Sequence, residues 1–129
     1  MVGFPGETDA EFEESRQFIE NLPLTYLHVF TYSERPGTPA AQSLDQVPMA
    51  VRKRRNQVLR DLGALKNLQF REKMLGSTLS VVTLENGSLS DNFLKVELAT
   101  PRPANLLANI EIGALTQQGL RERSPFVVL

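Results

Sequence analysis

The chain has 129 residues, a formal net charge of −1, 41% hydrophobic residues and 22% charged ones, a balance that supports one core and excludes a chain disordered by composition. It has no Cys, no Trp and one His, which excludes a disulfide framework and a thiolate or histidine-rich metal site built by this chain alone. No apolar run approaches the ~20 residues of a membrane helix, and no basic-then-apolar leader opens the chain, so the expected location is cytoplasmic with no membrane partner.

The charge is segregated. Residues 1–47 carry −6, residues 48–76 carry +6 and residues 77–129 carry −1, which predicts three units with different tasks. Met1-Val2 reads as a strand end, and Gly3-Phe4-Pro5-Gly6-Glu7 as a glycine-rich turn. Thr8 followed by Glu11 has capping-box spacing and predicts a helix over residues 9–21. Phe12, Ile19 and Leu22, with Ser15 between, fall on one face of it, acidic residues crowd its first turns, and Pro23 stops it. Residues 24–32 (LTYLHVFTY) are aromatic and β-branched and predict a buried strand, with His28 as a core or wall histidine. Strand, helix, strand in that order predicts a parallel crossover unit.

Residues 33–48 hold three prolines and a glycine and read as a loop. Pro48 opens a long helix predicted to reach about Leu75, with Val51, Val58, Leu62 and Leu65 as its apolar stripe and Arg52, Lys53, Arg60 and Arg71 on the far side. Gly76 reads as its C-cap. The period then changes to alternation. Residues 78–84, 92–98, 106–114 and 119–123 read as strands, and Asn86-Gly87 as a hairpin turn. Short strands at this spacing predict a small antiparallel, OB-like β-barrel. The fold class is therefore α/β plus β.

Two readings stand for each chemical motif. The glycine-rich turn at residues 3–8 can bring backbone close to a ligand at a strand's C-terminal edge, or simply be a tight βα turn. Arg35, in the loop after the second strand, can hold an anion or be an exposed surface charge. The basic helix can contact phosphates or present a solvated face. The barrel can bind single-stranded nucleic acid, although Phe93 and Phe126 are its only aromatics. A single His and the absence of a nucleophile elbow leave no catalytic triad to consider.

Taken together, VGFPGETDAEFEES, LHVFTYSERPGTPAA, DQVP before a basic helix, and a late LSDNFLKVEL resemble the C-terminal part of the radical-SAM methylthiotransferases over essentially the whole chain. The segments LHVFTYSERPGTPA and SDNF are most similar to the branch acting on threonylcarbamoyladenosine beside the tRNA anticodon. The resemblance implies a strand–helix–strand remnant of a partial TIM barrel at 1–47, a basic linking helix at 48–75 and a TRAM β-barrel at 76–129. It implies that Gly3, Phe4, Pro5, Gly6, Glu7, Val29, Phe30 and Tyr32 lie near S-adenosylmethionine. Asp91, Asn92 and Phe93 match the barrel's Thr-Asp-Asn-Tyr run, with Ser and Phe replacing its first and last residues. With Arg52, Lys53, Arg60, Arg71, Lys95 and Arg102 they form the expected RNA-binding set, and the expected partner is a tRNA anticodon stem-loop. The family's iron–sulfur clusters need cysteines that this chain lacks, so the chain is expected to be a fragment that binds no cluster and is inactive alone. The alternatives are a free-standing RNA-binding module, a branch acting on a ribosomal protein, and a homodimer formed through truncated barrel faces.

Overall fold

The structure, a computed structural model, describes residues 1–125. The expected aromatic Phe126 lies outside the described residues. The chain divides into two compact units, Met1–Asn67 and Leu68–Leu129. The division falls inside the long helix rather than at either of its ends.

In the first unit, helix α1 spans Asp9–Asn21. Its capping box is complete: the Glu11 N–H donates to the Thr8 hydroxyl at 3.2 Å and the Thr8 N–H to the Glu11 carboxylate at 2.9 Å. Helix α2 spans Met49–Glu72. Residues 24–31 are extended, as their composition predicts, but they are not a buried strand. One parallel bridge, Val2 with Thr31, is their sheet pairing. The Val2 N–H donates to the Phe30 carbonyl, and the Tyr32 N–H to the Val2 carbonyl, each at 2.8 Å.

Side chains of α2 support this segment where a ladder would otherwise do so. Asn56 donates to the Val29 carbonyl at 3.3 Å and Asn67 to the Thr25 carbonyl at 3.0 Å. Lys66 donates to the Glu20 and Leu22 carbonyls at 2.9 and 2.7 Å. Gly63, unusual inside a helix, lies against Leu27; an added Cβ would come within 3.2 Å of the Leu27 Cβ. Val2, Phe12 and Leu59 form the core of the unit, with Ile19, Val29, Val58 and Leu62 packed on it. Leu59 replaces the expected Leu65, which is exposed. His28 is exposed as well, edge-on to Tyr26 and stacked on Phe30. Period-2 alternation explains this: Leu27 and Val29 turn toward the helices, and Tyr26, His28 and Phe30 turn away.

The second unit is a closed barrel of five strands, β1 (Thr78–Thr83), β2 (Ser88–Ser90), β3 (Lys95–Glu97), β4 (Leu107–Leu115) and β5 (Leu120–Glu122), in the order β1-β2-β3-β5-β4. All pairs are antiparallel except β3 with β5, which is parallel. Val81, Leu94, Val96, Ile110, Ile112 and Leu120 fill it, with Phe70 and Met74 packed against them. Each such side chain contributes about 1.5–3 kcal/mol by leaving water. The β4–β5 register shifts between Ile112 and Ala114. Gly113 sits at that irregularity, and a Cβ there would come within 2.6 Å of the Arg123 Cα.

The expected strand over 92–98 is two features. Residues 91–93 form a turn, and the strand begins only at Lys95. Ser90 makes the turn possible. Its hydroxyl donates to the Asn92 side-chain oxygen at 2.5 Å and accepts from the Leu94 N–H at 2.8 Å.

Candidate functional site

The turn at residues 3–7 is held from inside. Gly3 and Gly6 have φ of +78° and +85°, conformations that a side chain would strain. The Gly3 N–H donates to the Glu7 carboxylate at 2.9 Å, and the Gly6 N–H to the Asp45 carbonyl at 2.9 Å. Arg55, buried in α2, donates to the Glu7 carboxylate and to Asp9, each at 2.8 Å. Burial works against the Arg55 charge, but the Asp9 and Glu7 carboxylates outweigh it and raise its pKa. The hydrogen bond from Arg55 in turn holds the Asp9 carboxyl below its usual range. Sequence reasoning missed Arg55, because nothing distinguishes it from its neighbours in the run 52–55.

The expected cofactor residues separate into two sets. Phe4 and Phe30 are exposed. Phe4 sits edge-on to Tyr32, ring centroids 5.4 Å apart. Tyr32 is buried, and its hydroxyl has no hydrogen-bond partner among the described residues. Val29 and Glu7 are committed elsewhere, Val29 to the core and Glu7 to Gly3 and Arg55. Val29 and Phe30, adjacent on an extended segment, face opposite sides and cannot line one surface together. Gly3 is buried, and a Cβ there would meet the Arg52 side chain at 2.5 Å.

The expected RNA residues separate in the same way. Arg52 is only 5% exposed. It donates to the Val47 carbonyl at 2.6 Å, reaches Gln46, and lies 5.3 Å from the Tyr32 ring centroid. It fastens the loop before α2 and does not belong to an exposed basic face. Arg71 is 6% exposed and donates to the Thr116 and Gly119 carbonyls at 2.9 and 3.1 Å. It closes the turn between β4 and β5 rather than facing solvent. Arg102 forks onto Glu122 at 2.7 and 3.0 Å. Lys53 and Arg60 are exposed in the first unit, and Asp91 and Lys95 in the second. Asn92 is half-buried and donates to the Met74 sulfur at 3.5 Å. Phe93 is 84% exposed with φ of +65°.

No family model matches the chain. The threonylcarbamoyladenosine tRNA methylthiotransferase MtaB of Aquifex aeolicus is 34% identical over 98 residues, 75% of this chain and 24% of that protein. Its namesake from Rickettsia prowazekii is 41% identical over 100 residues, 76% of this chain and 23% of that protein. The tRNA-2-methylthio-N(6)-dimethylallyladenosine synthase of Ehrlichia ruminantium is 37% identical over 94 residues, 73% of this chain and 21% of that protein. The chain thus spans about a quarter of the length of these relatives. Over that stretch it is a homologue of tRNA methylthiotransferases, consistent with a C-terminal fragment of the family.

Proposed function

We propose that the chain is the C-terminal part of a radical-SAM enzyme that transfers a methylthio group to a modified adenosine beside the tRNA anticodon. One observation carries this reading: relatives 34–44% identical over most of the chain bear the names of tRNA methylthiotransferases. The first unit supplies part of a wall and the barrel supplies tRNA contact. S-adenosylmethionine, when cleaved at a reduced iron–sulfur cluster, supplies the radical for such a reaction. The residues present fit its neighbourhood in part. Phe4 and Phe30 offer an apolar, accessible edge, and the partnerless Tyr32 hydroxyl is a polar group next to Phe4. The clusters do not fit this chain, since it has no cysteine to ligate iron. What the chain's own residues do is hold that edge rigid, through Arg55 on Glu7 and Arg52 on the loop.

Each unit by itself keeps expected RNA residues exposed and uncommitted: Lys53 and Arg60 in the first, Phe93 and Lys95 in the second, where Asp91 and Asn92 shape the turn that presents Phe93. The test is fluorescence anisotropy with a tRNA anticodon stem-loop at several salt concentrations. Three phosphate contacts on unpaired RNA give a log–log salt slope near −2, at ~0.7 per contact. Lys53→Glu with Arg60→Glu should weaken binding roughly tenfold and flatten the slope by about 1.4. Unchanged affinity would mean that these charges are only solvated.

A further inference from the structure

Beside the barrel's one parallel strand pair lies a groove of about 730 Å³, bordered by the Asn86-Gly87 turn and the turn at residues 116–119. Its volume falls in the ~300–1,000 Å³ range of small-ligand sites. We propose that this groove binds one unpaired RNA nucleotide, a proposal that rests on the RNA-binding reading above and gives it a location. Three side-chain amides, of Asn86, Gln117 and Gln118, line the groove and have no hydrogen-bond partner among the described residues. Each offers a donor pair and an acceptor, the complement of a base edge. Leu84 and Leu89 add apolar lining for the flat face of the base.

Charge singles out the phosphate contact. The arginines of β5 and of the residue after it are taken: Arg121 pairs with Glu97 at 2.8 Å and Arg123 with Glu111 at 3.0 Å. Lys95 lines the groove and has no carboxylate partner among the described residues. Glu97 also lines the groove, but its carboxylate pairs with Arg121, which offsets its charge beside Lys95. Glycine sets the width. A Cβ on Gly119 would collide with the Lys95 carbonyl oxygen, and one on Gly87 would come within 3.3 Å of the Val96 carbonyl oxygen. Both turns approach β3 this closely only because those positions lack side chains.

The experiment uses the full chain, ¹⁵N-labelled, with a ribo-tetra-adenylate as probe and the anticodon stem-loop as reference. Amide shifts on titration with the tetranucleotide should concentrate at residues 84–89, 95–97 and 116–119. The Gln117→Ala, Gln118→Ala double variant should weaken tetranucleotide binding roughly tenfold, about two lost hydrogen bonds, at an unchanged salt slope. Lys95→Gln should weaken it and flatten the slope by about 0.7. Melting curves check that each variant is folded, and the shift map on the unaltered chain needs no variant. Shifts elsewhere, with the double variant binding as the unaltered chain does, would overturn the groove while stem-loop binding kept the wider reading intact. Failure of both RNAs to bind would overturn the two together.

Discussion

Phe93 holds a left-handed backbone with its ring in solvent, so packing does not compensate the strain. That conformation costs a non-glycine residue about 1–2 kcal/mol, partly offset in a glycine variant by unfolded-state entropy of ~0.5–1 kcal/mol. Phe93→Gly should therefore leave the melting temperature unchanged or slightly raised, and Phe93→Ala should leave it near that of the unaltered chain. Both should weaken stem-loop binding by the ~1–3 kcal/mol of one base stack. A fall in melting temperature without loss of RNA affinity would assign the ring to stability alone. Glu122 is the opposite case, a residue with every group engaged. Burial pushes its carboxyl up, but the Arg102 fork and the Ala99 N–H outweigh burial and leave it below the ordinary value of 4.5. Because its folded pKa is depressed, its stabilisation is full above about 4.5 and is lost as pH falls through the folded value. Glu122→Gln should cost about 2 kcal/mol in urea unfolding at neutral pH. The gap from the unaltered chain should narrow progressively as pH falls below about 4.5, and a gap that stays constant through acid would remove the ion pair as its cause.

At the scale of the element, α2 acts through its polar side chains. Arg55 reaches both the turn at residues 3–7 and the first turn of α1. Arg55→Ala leaves the half-buried Glu7 carboxylate without that partner and should cost about 3 kcal/mol in chemical denaturation. Thr8→Ala, which removes an exposed capping box, should cost about 1 kcal/mol. A larger penalty for Thr8 than for Arg55 would reverse the proposed hierarchy. This contrast also governs what was legible in the sequence. Helix α1 was readable to the residue because its start and stop signals, Thr8 with Glu11 and then Pro23, are local. The run of basic residues was not, since sequence cannot tell an arginine that ends on carbonyls, as Arg52 and Arg71 do, from one in water. The site was legible to the same degree: the segments were found, but not which side chains point outward. Alternation could have separated Val29 from Phe30. Nothing local signalled that Phe93 would take a left-handed turn, a conformation usually left to Gly or Asn.

At the scale of the whole molecule the two units differ in how they satisfy their backbones. The barrel closes on itself, so each strand has neighbours on both sides over at least part of its length. The extended residues 24–30 have carbonyls held by Asn56, Asn67 and Val2, but their N–H groups donate to no backbone carbonyl among the described residues. Hydrogen exchange reads this difference amide by amide. The slowest amides should be those of β1 and β4, which pair over their greater length, and they should exchange only by opening of the barrel. Amides 24–30 should exchange near the rate of an unstructured chain, while Tyr32, whose N–H donates to Val2, is slowed. The outcome that would sink this expectation is protection of 24–30 comparable to that of β1. Unpaired N–H groups on an extended segment gain protection by pairing with another extended segment, so such protection would require a partner strand. Among the described residues no free extended segment faces 24–30, so the expected source of that strand is a second copy, and light scattering should then show a dimer whose dissociation on dilution restores fast exchange.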